Sequence, residues 1–181
     1  MDIVVLSLTE LAAGIPALTS ALGSMLAEAA SVCLNVQGHE APCLLDIQFK
    51  TQQYQFYLHR MEVSISMLRA YRDLQEATEF GACGVAILLA REVLGYTAIE
   101  RSAKGTGFDY WLGTISEAND AAEPFERKAR LEVSGILQGE EDVVEARVRE
   151  KVRQTMRSAG EYPACVIVVE FGRPLARMEM K

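Results

Sequence analysis

Histidine is nearly absent from this chain: His39 and His59 are the only two among 181 residues. That leaves no histidine cluster for a transition metal and little room for imidazole acid–base chemistry. His59 closes an alternating segment and reads as a strand-end surface residue. The four cysteines, Cys33, Cys43, Cys83 and Cys165, are widely separated, and no two form a CxxC pair. They read as reduced core thiols of a cytoplasmic protein. "GHEAPC" sets His39 and Cys43 four apart, but a metal site there lacks two further ligands. No glycine-rich cofactor loop and no nucleophile–base pair stands out, which argues against a small-molecule enzyme. The apolar opening carries no basic leader and is broken by Thr9, Glu10, Pro16 and glycines. It reads as neither a signal peptide nor a membrane span.

What is present is an ordinary globular composition, half hydrophobic and a quarter charged. The net charge of −7 is unevenly spread. Residues 1–100 hold 5 basic and 11 acidic side chains, whereas residues 101–157 hold 10 and 11. The second half is therefore the half able to approach a polyanion.

Element order follows from periodicity and punctuation. "LTELAAGIPALTSALGSMLAEAASVCL" predicts a helix capped at Thr9 and kinked or broken at Pro16. "CLLDIQF" and "QYQFYLH" predict a hairpin with one wet face. The stretch from Met61 to Gly95 is too long for one helix, and Phe80, Gly81 and Gly84 mark expected adjustments. Its part "GACGVAILLAREV" is apolar nearly all round, so it should be buried. Strands follow at 96–102, 107–113 and 128–137, then a helix running from the acidic "GEED" toward basic residues, with Gly160 closing it. "PACVIVVEF" has the continuous apolar character of a central strand, and "RPLARMEMK" adds an expected edge strand. The short "SAKGTG" connection predicts antiparallel pairing, and the crossover through the helix predicts a parallel one. The expected fold is α/β: a mixed central sheet flanked by helices, with a helix–strand–strand–strand–helix–strand core at 75–181. Residues 1–74 form a helical and hairpin elaboration.

One sheet face gathers chemistry. Lys128, Arg130, Glu132 and Ser134 alternate along one strand, and Asp109 shares a face with Trp111 on its neighbour. This order, with Asp109 in "GTGFDYWLG" and Glu132 and Ser134 in "ARLEVSG", resembles the PD-(D/E)xK nuclease superfamily over about residues 75–171. The superfamily includes restriction endonucleases, Holliday-junction resolvases, exonucleases and members without catalysis. The resemblance implies that Asp109 and Glu132 hold a divalent metal, Mg²⁺ with Mn²⁺ as substitute, beside a scissile phosphate. A lysine in the third motif position helps the attacking water; Ser134 stands there instead, and a hydroxyl supplies no positive charge. Lys128 shares the face but lies about 20 Å along the strand from Ser134, so Lys104 in the hairpin is the better-placed cation.

A third acid comes from the preceding helix in some of these nucleases. A seven-residue strand spans about 23 Å, as do about fifteen helical residues. Counting back fifteen from Leu94 reaches Glu79, with Glu76 in reserve. The candidate site is thus Asp109, Glu132, Ser134 and Lys104, with Asp109, Glu132 and Glu79 as metal ligands.

The plainer readings run alongside. Asp109 could serve the hairpin amides or Lys104, Glu132 could pair with Arg130 or Arg101, and Trp111 reads as core or rim packing, with base stacking as its alternative. The basic run "ARVREKVRQTMR" is a solvated helix face or a phosphate-binding one. The functional expectation is a metal-dependent nuclease or nuclease-like nucleic-acid binder. Its alternative is a non-catalytic accessory subunit that contacts protein, in a bacterial defence or mobile-element setting.

Overall fold

The computed structural model describes residues 4–115, 124–157 and 160–181. Eight strands build one mixed sheet: β1 (Val5–Ser7), β2 (Cys43–Phe49), β3 (Gln52–His59), β4 (Thr97–Arg101), β5 (Tyr110–Ile115), β6 (Phe125–Ile136), β7 (Ala164–Glu170) and β8 (Leu175–Met180). Their spatial order is β1-β3-β2-β8-β7-β6-β5-β4. The β4–β5 pair is antiparallel and β6–β7 parallel, as the two connections predict. The helices are α1 (Ser20–Val36), α2 (Ile65–Ala70), α3 (Leu74–Leu89) and α4 (Glu141–Arg157). Among the described residues, no helix is long and apolar enough to cross a membrane.

Three local expectations are corrected. First, the cap of α1 is Thr19, whose hydroxyl accepts from Leu22 N–H at 3.2 Å. Thr9 instead lies inside a separate 3₁₀ helix, Leu8–Ala13, because Pro16 cannot continue a helix from that side. Second, the long helical stretch breaks at 71–73, not at its glycines. Asp73 caps α3 by accepting from Gln75 N–H and Glu76 N–H. Gly81 and Gly84 lie inside α3, where they let α1 approach. A Cβ on Gly81 would stand 2.8 Å from the backbone of Ala30. A π-helical turn, Ala90–Leu94, ends α3, and Gly95 stops it at φ 71°. Third, β8 is not an edge strand. It pairs with β7 antiparallel and with β2 in parallel. The hairpin β2–β3 therefore extends the same sheet.

The two sheet faces are covered differently. The apolar helices α1 and α3 bury one face in the main core, which includes Leu45, Phe56, Val85, Leu89, Leu112, Leu131 and Ile167. On the other face, α4 packs chiefly over β6, β7 and β8. The core there is small: Val144 with Ile136, Val166, Val168 and Leu175. Helix α4 meets the rest of that face through charged and polar side chains. The polar connection at 116–123, and the chain between α4 and Gly160, lie outside the described residues.

Candidate functional site

The backbone fixes Asp109 before its side chain is considered. The loop 102–109 is stitched by the hydroxyls of Ser102 and Thr106, which donate to Phe108 O and to Ala103 O respectively. Gly105 and Gly107 take φ of 91° and 79°, which side-chain-bearing residues rarely adopt. Asp109 N–H then donates to Leu131 O at 2.7 Å, and Asp109 O accepts from Ser102 N–H at 2.9 Å. Asp109 is thus clamped between β4 and β6, one residue before β5 begins, rather than within the strand. Its Oδ2 accepts from Val133 N–H at 2.8 Å.

Glu132 sits on β6 and is 3% exposed. Helix α4 supplies its partners. Lys151 Nζ lies 2.6 Å from Glu132 Oε1, and Gln154 Nε2 donates to the same oxygen at 3.3 Å. One helical turn earlier, Arg147 Nη1 donates to Ser134 Oγ at 2.8 Å. Positions 147, 151 and 154 fall on one helix face, and Glu132 and Ser134 fall on the strand face below it. Arg130, two residues before Glu132, donates to Tyr162 O at 3.0 Å.

Both carboxyls are held above the ordinary carboxylate range. Burial is the main cause for Asp109; the Val133 amide, Lys151 and Arg101 oppose it, and Glu79 adds repulsion. Burial also dominates for Glu132. The Lys151 hydrogen bond opposes it, and repulsion from Asp109 raises it further. Cys83 of α3 belongs to the same field: burial pushes its thiol up first, and Asp109, Glu132 and Glu79 contribute. The site is therefore an incompletely neutralised acid pair at a dry sheet face. Glu170 provides the contrast. It is 1% exposed, yet Gly139, Gly172 and Arg173 donate backbone amides to it, so it is a satisfied structural acid.

The remaining predicted residues separate. Lys104 is exposed at the loop tip and makes no hydrogen bond or ion pair among the described residues. Glu79 is exposed on α3 and reaches Asp109 only through its field. Among the described residues, no three of His, Cys, Asp and Glu gather as a metal-holding group. Lys128 is tied to Glu126 at 2.5 Å. The cation that meets Glu132 is Lys151, and it also lowers the field at Asp109. Sequence spacing pointed to the basic run containing it but not to the one residue within it. A helical wheel aligning 147, 151 and 154 over the alternating face of β6 would have picked it out.

Mg²⁺ is commonly held by one or two carboxylates and keeps several waters. No donor among the described residues reaches Asp109 Oδ1 or Glu132 Oε2. Both are hard oxygens of the type such a site uses, and Asp109 and β6 are bonded side by side through Asp109 N–H and Leu131 O. The three-acid version with Glu79 is not assembled.

The chain matches no protein-family model, no curated protein and no solved structure.

Proposed function

We propose that the chain is a nuclease-like protein whose Asp109, Glu132 and Lys151 engage a phosphodiester of nucleic acid, with Mg²⁺ as the matching ion. The observation that carries this reading is the 2.6 Å contact between Lys151 Nζ and Glu132 Oε1. It brings a cation to the acid pair where Ser134 offers none. The resemblance of "GTGFDYWLG" and "ARLEVSG" to the PD-(D/E)xK pattern supports the same assignment.

The roles follow from chemistry. Asp109 Oδ1 and Glu132 Oε2 are the oxygens available to a divalent ion. Bound there, the ion would polarise the phosphate and lower the pKa of an attending water. Lys151 would leave Glu132 as the ion arrives and offset charge on a phosphate oxygen. Ser134 holds Arg147, keeping α4 in register over the site.

The test is oligonucleotide cleavage with Mg²⁺ or Mn²⁺. The native protein is expected to cut, and Asp109→Ala, Glu132→Ala and Lys151→Ala to lose about a hundredfold or more. Equal activity in all four proteins, or none in the native one, removes the reading.

A second reading has its own support. Glu132 is almost fully enclosed, and among the described residues no helix packs extensively on the α4-side face of β1–β3–β2, where Val5 and Leu44 are exposed. A non-catalytic accessory subunit that meets a protein partner through that face fits both facts. Co-purification of a protein partner with no nucleic acid would favour it.

A further inference from the structure

Beside the acid pair lies an arrangement that the cleavage chemistry does not use. Trp111 is directly opposite Arg130 in the β5–β6 register, on the face that carries Glu132. Its ring makes edge contacts with Phe108, at 4.8 Å between centroids, and with Tyr162, at 5.5 Å. The Arg127 guanidinium lies over Trp111 at 4.3 Å, and Arg130 lies 5.9 Å from the Phe108 ring. Glu100 on β4 orients Arg127 at 2.7 Å. Three rings and two guanidiniums thus form one connected patch, and each ring is only partly buried.

Two facts say what it faces. Helix α4 packs chiefly on β6 to β8, and among the described residues no helix packs extensively on this side of β4 and β5. The Arg127 side chain is 43% exposed. A guanidinium has two faces; one lies on Trp111, which leaves the other for a further planar group. The patch also adjoins the acids by chain position. Phe108 precedes Asp109, Trp111 follows it by two, and Arg130 precedes Glu132 by two. Two strand residues span roughly 7 Å, so a strand whose phosphate meets Asp109 and Glu132 can lay its next nucleotide on the rings.

We propose that Phe108, Trp111, Tyr162 and Arg127 form a stacking subsite for an unpaired base, which makes single-stranded nucleic acid the substrate class. This rests on the phosphodiester reading of the neighbouring acids. A duplex hides its base faces, so it cannot use the patch; a single strand offers both the ring to stack and the charge that the exposed Arg127 complements.

The test reads binding in EDTA, which separates it from cleavage. A labelled oligo(dT) 20-mer is titrated by anisotropy against the same strand annealed to oligo(dA). Trp111, the single tryptophan, reports contact through its own fluorescence. The single strand is expected to quench Trp111 and to bind at least tenfold tighter than the duplex. Arg127→Gln and Trp111→Leu, each checked for native circular dichroism, are expected to lose about tenfold in oligo(dT) affinity. Arg127 is a partly exposed position, so its variant keeps the test alive if Trp111→Leu misfolds. Duplex binding as tight as single-strand binding, or unchanged affinity in a folded variant, overturns the subsite. Absent cleavage alongside intact, variant-sensitive oligo(dT) binding overturns the nuclease reading and leaves the subsite standing.

Discussion

Lys151 on α4 and Glu132 on β6 meet at 2.6 Å although 19 residues separate them in sequence. The carboxylate side chain is 4% exposed and the lysine side chain 21%. Breaking such a pair strands a charge in a dry place. Lys151→Met is therefore expected to cost about 2 kcal/mol, less than the roughly 3–5 kcal/mol of a fully enclosed pair because Lys151 still touches solvent. Chemical denaturation measures it. The double variant Lys151→Met/Glu132→Gln removes the orphaned charge and should recover most of that stability. Cleavage, under the phosphodiester reading, should stay lost in both. Recovery of activity with recovery of stability would make the pair purely structural.

Asp109 gives a prediction of opposite sign. Its folded-state pKa is raised by burial and by Glu79 despite three opposing groups. For a raised carboxyl, the native state holds the proton more tightly than the unfolded chain does. Stability attached to this group is therefore full at low pH and is lost as pH rises through the folded pKa. Asp109→Asn preserves an oxygen to accept from Val133 N–H and deletes the charge. It is expected to melt a few degrees higher than the native protein at pH 7. The gap should shrink as pH falls through the raised pKa and vanish below the ordinary carboxylate range. Thermal melts of both proteins from pH 7 to pH 3 check it; a gap that widens on acidification contradicts the assignment.

The strands were legible because their signals are local. "CLLDIQF" alternates, and "CVIVVE" is apolar throughout, so β2 and β7 emerge where expected. The position of β8 was not, because "LARMEM" says nothing of its neighbours. Only the pairing of both its sides makes it interior. Thr9 and Thr19 both carry cap chemistry, and Pro16 between them decides which one caps α1. Asp109 and Glu132 were named together from motif and alternation, and the two carboxyls share one electrostatic field. Lys151 was not legible with them, since helix α4 brings it from a distance that strand counting cannot span. Lys104 was favoured for its nearness in sequence, but it is exposed in its loop with no hydrogen bond or ion pair among the described residues.

The thiols report on burial, and Cys83 also lies in the field of Asp109 and Glu132. No disulfide links the four cysteines. Burial lifts Cys33 to about 11 and Cys165 to about 12, and it also raises Cys43 and Cys83. Thiolate is the reactive form. At pH 8 the folded protein should react with an aromatic disulfide reagent far more slowly than free cysteine, and all four thiols should react at once in guanidinium. Melting temperature should not change with reductant. Rapid reaction of one thiol in the native state would mark a local opening, and Cys83 beside Asp109 is the informative one.

Gly135 links packing to the site. It follows Ser134 on β6, and a Cβ there would stand 2.4 Å from Thr78 O and 2.7 Å from Thr78 Cγ2 on α3. A backbone carbonyl cannot swing aside as a flexible side chain does, so α3 or β6 has to shift. Gly135→Ala is expected to destabilise by about 1–3 kcal/mol, as overpacking does. The shift acts three residues from Glu132 on one side and one residue from Glu79 on the other, so it should disturb the field at Asp109 as well. Under the phosphodiester reading, cleavage should fall at temperatures where the variant remains folded. The control is Gly105→Ala. Its Cβ meets nothing within 4 Å and its cost comes only from φ at 91°. It should lower stability through backbone strain while leaving Glu132 and Lys151 in contact. Equal effects of the two variants on cleavage, at matched stability, would sever the proposed link between α3 packing and the acid pair.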